Sequence, residues 1–256
     1  MKSLPKIILL TMVGLLSVFL IFGCSSNKNP SSSVSQGDPN DPNYVAAKAQ
    51  IDELVASVSG DMAEGSDYLG GFNPPPSPTN ATDTTYYGYD AETGWWYSYQ
   101  DMNSDPYSYT YADSVRYSAN GTFQENPDST TDKMEVKLYT TMISTDSLYA
   151  YDLNFFEDMI FTVLSSDTLQ TDGDGGYSIA FADTIGSFDF TETFNAIKIP
   201  IELGHPVSGT ANSTMTATFP DGEGTWTINL TFYADHIHIY ATNGQYYWEW
   251  DEYYEG

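Results

Sequence analysis

An alternation of apolar and polar residues starts near Thr84 and continues to the C-terminus. Tyr107, Tyr109 and Tyr111, for example, are separated by Ser, Thr and Ala. Successive side chains of a β-strand point to opposite faces, so this period of two predicts half-buried antiparallel strands. We count about eleven such segments with no helix-period segment between them. We expect a mainly β domain over residues 84–256: an antiparallel meander forming a curved sheet, barrel or half-barrel, or alternatively a two-sheet sandwich.

Three Asn-Gly or Asp-Gly pairs predict tight hairpins, because these dipeptides favour two-residue turns that fix the strand register. Each register separates apolar pairs from polar pairs, which a slip of one residue would mix. The predicted pairs are Ser118 with Phe123 and Arg116 with Glu125 around Asn120-Gly121, Ala217 with Trp226 and Met215 with Ile228 around Asp221-Gly222, and Ile239 with Trp248 and Ile237 with Trp250 around Asn243-Gly244.

Residues 44–83 precede the β domain and differ from it in pattern. Ala47, Ile51, Leu54 and Val55 lie at the spacing of one helix face, which predicts an amphipathic helix over residues 44–59 that packs on the sheet. The following residues up to 83 are rich in Gly and Pro and predict an irregular connector.

The first 23 residues have the layout of a signal peptide. Lys2 and Lys6 are followed by an apolar run over residues 7–22, with no acidic residue. The run is slightly short for a membrane-spanning helix and has no stop-transfer charges after it. Residues 1–23 are therefore expected to be removed.

The residues Ile21-Phe22-Gly23-Cys24 resemble the lipobox of bacterial lipoproteins. The resemblance implies cleavage before Cys24, a thioether-linked diacylglycerol on its sulfur and an acylated amine. Ser25 and Ser26, rather than Asp, follow the cysteine, which in that family implies the outer membrane more than the inner membrane. The stretches 113–117 and 208–218 also give the body a loose resemblance to uncharacterised β-rich envelope lipoproteins, which implies no activity.

Residues 24–43 are mostly Ser, Asn, Pro, Gly and Asp and predict a flexible tether between the lipid and the domain. Loss of residues 1–23 leaves six basic and 35 acidic residues, a formal net charge of −29. Such a charge opposes nucleic-acid binding, which depends on Lys and Arg at phosphates. We therefore expect a membrane contact through the lipid anchor and no nucleic-acid partner.

Two groups of residues are candidate metal ligands. Asp172 and Asp174 lie in a Gly-rich segment that we expect to be a hairpin loop, and they are spaced like the first ligands of a calcium loop. His236 and His238 share one side of a strand and offer a pair of transition-metal ligands. The more ordinary interpretations are a solvated acidic turn and an exposed cross-strand pairing. Apart from calcium at these aspartates, we expect no cofactor.

Aromatic residues are the remaining candidates for a binding site. Trp95, Trp96, Tyr97 and Tyr99 are so close in sequence that they must face both sides of a strand. Rings that face away from the core suit sugars or apolar small molecules, whereas rings in a doubly covered sheet are structural.

No catalytic motif is found in the sequence. We therefore expect a non-enzymatic, lipid-anchored envelope protein that binds a glycan, an apolar small molecule or an envelope protein. The alternatives are a structural surface module without a ligand and a glycan-acting hydrolase.

Overall fold

The computed structural model describes residues 35–42, 44–45, 48–49, 51–52, 55, 84–145, 150–181, 186–219 and 222–254. Strands make up 73% of this part of the chain, so the fold is mainly β, as predicted. The signal peptide, Cys24 and the Pro-rich connector lie outside the described residues. Most of the predicted helix over residues 44–59 does too, and that helix stays a prediction.

The described residues form thirteen strands of a single sheet. Their bounds are β1 Ser35–Gln36, β2 Thr84–Asp90, β3 Trp95–Ser104, β4 Tyr107–Ala119, β5 Thr122–Gln124, β6 Lys133–Ser144, β7 Tyr151–Ser165, β8 Thr168–Phe181, β9 Gly186–Pro200, β10 Ser208–Phe219, β11 Gly222–Phe232, β12 His236–Thr242 and β13 Tyr246–Tyr253.

The sheet is a meander in which nearly every strand pairs with its neighbours in sequence. The order is β1-β13-β12-β11-β10-β9-β8-β7-β6-β4-β3-β2, and the short β5 pairs with β4. All pairs are antiparallel except β1 with β13. The sheet is therefore mixed, and it is not closed. Neither a closed barrel nor a second sheet is present among the described residues.

The first predicted hairpin is confirmed next to its turn. Asn120-Gly121 has positive φ at both positions, 50° and 76°, as a type I′ turn requires, and Ser118 pairs with Phe123. The prediction that Arg116 faces Glu125 is wrong, because β5 ends before that residue and β3 takes its place along β4, so that Arg116 faces Trp95.

The registers predicted for the other two hairpins are wrong by two residues. Met215 faces Trp226, and Ile239 faces Trp250. A shift of two leaves every side chain on its predicted face, so the hydrophobic pattern could not distinguish the two registers.

In the third hairpin, a side chain determines where the turn begins. The Asn243 side-chain oxygen accepts hydrogen bonds from the backbone N–H groups of Gln245 at 3.0 Å and Tyr246 at 2.9 Å. Asn243 therefore starts the turn, as Asn often does through its side chain, and Gly244 follows with φ of 82°. The prediction had placed Asn243 in the centre of the turn.

One face of the sheet, here called the inner face, holds the main hydrophobic core over β7 to β13. The described residues between 35 and 55 are here called the N-terminal segment, and three of them, Tyr44, Ile51 and Val55, are buried in the same cluster. The least exposed core side chains, at 0 or 1%, include Ile197, Ile199, Ile228, Leu230 and Ile239.

Part of the predicted tether lies on the sheet edge. Residues 35–36 pair in parallel with Tyr246 and Tyr247, and the Gly37 N–H donates to the Tyr247 carbonyl at 2.9 Å. The tether prediction is thus wrong for these residues, whose backbone hydrogen bonds are satisfied by the edge of β13. For residues 24–34, which are not described, it stays a prediction.

Trp248 holds this N-terminal segment in place. Its indole N–H donates to the Asp38 carbonyl at 3.3 Å, and its ring stacks on Tyr44 at 4.8 Å with an interplanar angle of 5°. The ring packs so closely on Gly37 that a Cβ atom there would overlap it. One tryptophan therefore joins the sheet edge, the N-terminal segment and the core.

Replacing Trp248 by Ala should lower the free energy of unfolding by about 3–5 kcal/mol, the usual loss for a large buried aromatic side chain. Urea unfolding measures this loss. Tyr253→Ala, at a side chain that is 67% exposed on the same strand, is the control and should cost under about 1 kcal/mol. Equal losses in the two variants would contradict this role of Trp248.

Candidate functional site

The outer face of the sheet carries a row of exposed aromatic rings, here called the outer aromatic row. Tyr86 on β2 faces Tyr99 on β3, Tyr99 faces Ala112 on β4, Ala112 faces Tyr139 on β6, and Tyr139 faces Phe156 on β7. The four rings are 37 to 55% exposed. Clustered exposed apolar surface of this kind marks interaction sites in soluble domains.

Glycines lie beneath the two end rings of this row. A Cβ atom at Gly88 would be 3.1 Å from the Tyr86 hydroxyl, and one at Gly176 would be 3.0 Å from Cε1 of Phe156. Both rings therefore lie directly over glycine backbone, where no side chain separates the ring from the sheet. Tyr86 also stacks on Tyr97 at 5.6 Å with an angle of 16°. The rings of Tyr86 and Phe156 thus lie close to the backbone of the sheet, and Tyr97 covers one face of Tyr86.

Polar side chains border the row on both sides. The Tyr139 hydroxyl donates to the Asn154 side-chain oxygen at 3.5 Å, and the Asn154 amide donates to Asp152 at 3.2 Å. On the other side Lys137 forms an ion pair with Asp158 at 2.6 Å. The border therefore offers amide and carboxylate groups that can form hydrogen bonds with the hydroxyls of a ligand. Its ammonium group, on Lys137, is already paired with Asp158.

The structure separates the four aromatic residues that the sequence analysis selected. Tyr97 and Tyr99 lie on the outer face beside Tyr86. Trp95 shares that face, but the Arg116 guanidinium lies 4.6 Å from its ring centre. Arg116 lies at the same distance from Phe123, so the cation is held between two rings and takes up one face of Trp95.

Trp96 faces the opposite side of the sheet. Its indole N–H donates to the Glu125 carbonyl at 2.5 Å, and its ring stacks on Tyr87 at 5.1 Å. It also packs against the small buried cluster that includes Val115 and Tyr117. Trp96 therefore has a structural role in fixing the segment after β5.

Asp172 and Asp174 lie within strand β8, so the prediction of a hairpin loop is wrong. Asp172 accepts hydrogen bonds from the Ala196 N–H at 2.6 Å and from the Gln170 side chain at 2.7 Å. Ala196 has φ of 48° at a register shift between β8 and β9, so Asp172 satisfies the backbone of a β-bulge. Asp174 accepts from the Thr193 hydroxyl at 2.7 Å.

His236 and His238 share one face of β12, as predicted, and each lies beside a carboxylate. Nδ1 of His236 is 2.7 Å from Asp235, and Nδ1 of His238 is 2.8 Å from Asp251. His236 also stacks on Tyr233 at 4.7 Å. Within the described part of the chain, no group of three or more His, Cys, Asp or Glu residues is arranged to hold a metal ion. The calcium and transition-metal sites stay predictions.

Asp113 is a mostly buried carboxyl that the sequence analysis did not select. Burial raises its pKa to about 6, although hydrogen bonds from the Tyr111 side chain and the Ser114 backbone act in the opposite direction. A signal was present in the sequence: Asp113 falls on the same parity as Tyr107, Tyr109 and Tyr111, which is the inner face of β4.

Replacing Asp113 by Asn should stabilise the protein at pH 8 by about 2–3 kcal/mol, because the folded state raises this pKa from near 4 to about 6. A raised pKa means that the folded state binds the proton more tightly. The cost of the ionised group is therefore complete above pH 6 and disappears as the pH falls toward 4. Urea unfolding of both proteins between pH 4 and 8 measures the difference, which should shrink at acid pH; a constant difference would contradict the assignment.

Sequence reasoning also missed Tyr139 and Phe156. Tyr139 is a single aromatic residue in an ordinary strand pattern, whereas Phe156 directly follows Phe155, and such a pair must face both sides of a strand. Both residues are far in sequence from Trp95. Only the register of β3, β4, β6 and β7 places them level with Tyr99.

Comparison with protein-family models, with curated proteins and with solved structures gives no match. Among the described residues, no helix has the length and apolar character needed to cross a bilayer.

Proposed function

We propose that this is a lipid-anchored protein of the bacterial envelope whose outer aromatic row binds glycans without transforming them. The observation that carries the proposal is the set of four exposed rings, aligned across five neighbouring strands, two of them lying over glycines. In this proposal the open sheet curves as a half-barrel around its inner face and leaves the outer face to the ligand.

Aromatic rings suit sugars because a pyranose has apolar C–H faces and a polar rim. The rings remove the C–H faces from water, while neighbouring polar groups bond the hydroxyls. The outer aromatic row supplies the first element, and Asn154 with its Asp152 partner supplies the second.

Charge favours a neutral glycan over an acidic one. The full chain carries a formal net charge of −27, and the cations near the row are paired: Lys137 with Asp158, and Arg116 with Glu135. An anionic polymer would meet a repulsive field with no unneutralised cation from these two pairs to offset it.

Gel electrophoresis through polyacrylamide that contains a dissolved polysaccharide tests the proposal. The panel comprises neutral β-glucan, xylan, mannan and glycol chitin, with alginate as the acidic comparison. At least one neutral polymer should retard the protein and alginate should not. Tyr139→Ala and Phe156→Ala should each weaken binding by about five- to tenfold, the worth of one stacked ring.

Two controls separate stacking from other effects. Tyr139→Phe keeps the ring and should bind nearly as wild type does, and Tyr253→Ala removes an exposed ring distant from the row. Absence of retardation by every neutral polymer would sink the proposal. Binding that survives both ring removals would show that the glycan binds elsewhere and would contradict the outer aromatic row as its site.

The N-terminal segment and the outer aromatic row lie on distant strands of the sheet. The N-terminal segment leaves from the β13 edge, and β7, the nearest strand of the row, is six strand separations away, about 29 Å along the sheet. A lipid on Cys24 would therefore hold the domain by one end and leave the row accessible to glycans.

Replacing Cys24 by Ala should move the protein from the membrane fraction to the soluble fraction of the producing cells, because the lipid is the proposed anchor. Fractionation and immunoblotting measure the distribution, and mass spectrometry of the wild-type protein should show the added acyl chains. A Cys24→Ala protein that still sediments with membranes would contradict the anchor.

A further inference from the structure

We infer that the ligand is an extended, neutral, linear polysaccharide that lies across the strands, along the outer aromatic row. This inference rests on the proposed glycan binding and concerns the length and direction of the ligand. It follows from the spacing of the rings, from what lies between them and from the side chains along each strand.

The row is longer than a disaccharide. Tyr86 on β2 and Phe156 on β7 are four strand separations apart, about 19 Å. The Phe156 ring extends further, over Gly176 of β8. One sugar unit of an extended chain advances by roughly one strand separation, so the row matches a segment of about four or five units.

The middle of the row has no ring. Ala112 separates the pair Tyr86 and Tyr99 from the pair Tyr139 and Phe156, and Tyr99 and Tyr139 are two strand separations apart, about 10 Å. A mono- or disaccharide therefore reaches one pair only. A longer chain spans the low methyl surface and contacts both pairs, and the second contact adds to the first without a second loss of translational freedom.

The direction across the strands is favoured over the direction along them. On the outer face of β6 the neighbours of Tyr139 are Lys137 and Thr141, and on β7 the neighbours of Phe156 are Asp158 and Asn154. A chain laid along either of these strands would meet a single ring between polar groups. Along β3 the rings of Trp95, Tyr97 and Tyr99 share the outer face, but one face of Trp95 is covered by Arg116 and Tyr97 is stacked against Tyr86. A chain laid across the strands meets four rings.

Titration calorimetry with a series of oligosaccharides tests the inference. The series runs from two to eight units and is prepared from the neutral polysaccharide that retards the protein most in the gel assay. The affinity should rise at least about tenfold between the dimer and the pentamer or hexamer and then level off. A dimer that binds as tightly as the hexamer would overturn the inference while leaving glycan binding intact.

Variants test whether the bound chain contacts both ring pairs. Tyr99→Ala and Phe156→Ala lie in different ring pairs, and each should abolish the gain of the hexamer over the dimer. Ala112→Gln places a neutral side chain in the gap and should lower hexamer affinity toward that of the dimer, with dimer affinity unchanged. Equal loss of dimer and hexamer binding in Ala112→Gln would contradict a bridging chain, provided that its urea unfolding matches wild type.

Lack of any response from wild type in both assays is a separate result. It would refute the proposed glycan binding itself. Loss of the length dependence alone, with retardation in the gel retained, would refute only the inference about the extended chain.

Discussion

The structure depends on a single sheet that buries one of its two faces. The inner face of β7 to β13 is covered with the help of Tyr44, Ile51 and Val55, and its side chains form the main core. No second sheet covers the outer face in the described part of the chain. Rings on that face therefore cannot be explained by core packing, and their exposure costs solubility unless they contact something else. This one-sidedness is the physical reason to look for function on the outer face.

The alternation in the sequence predicted most of the strands and the faces of their residues, because both follow from the two-residue repeat of a strand. It failed in the Gly-rich middle of β8, where a hairpin loop was expected. The strand register was harder to predict from the sequence. Met215 faces Trp226 and Ile239 faces Trp250, each two positions from the predicted pairing, and a two-residue shift exchanges apolar partners for apolar partners. The first turn was predicted correctly at Asn120-Gly121, whereas Asn243 moved the third by hydrogen-bonding to its own turn.

The candidate site was only partly predictable, for a related reason. Tyr97 and Tyr99 could be selected because they belong to a dense run of rings. Phe156 has only Phe155 beside it and Tyr139 has no neighbouring ring, and the two join the row through pairing of distant strands. The local sequence also could not show that some candidate side chains already have structural partners. Arg116 takes up one face of Trp95, and the backbone of a bulge takes up Asp172, so two attractive candidates have structural partners.

The parallel pairing of β1 with β13 has a mechanical consequence. If the protein is anchored through Cys24, any pull between membrane and bound ligand enters the domain at residues 35–36. The force would act first on the two-residue β1 and on the contacts of Gly37 and Tyr44 with Trp248, and only afterwards on the long hairpins. The N-terminal segment would then act as a yielding link, lengthening the tether under force while the meander and its ligand face stay folded.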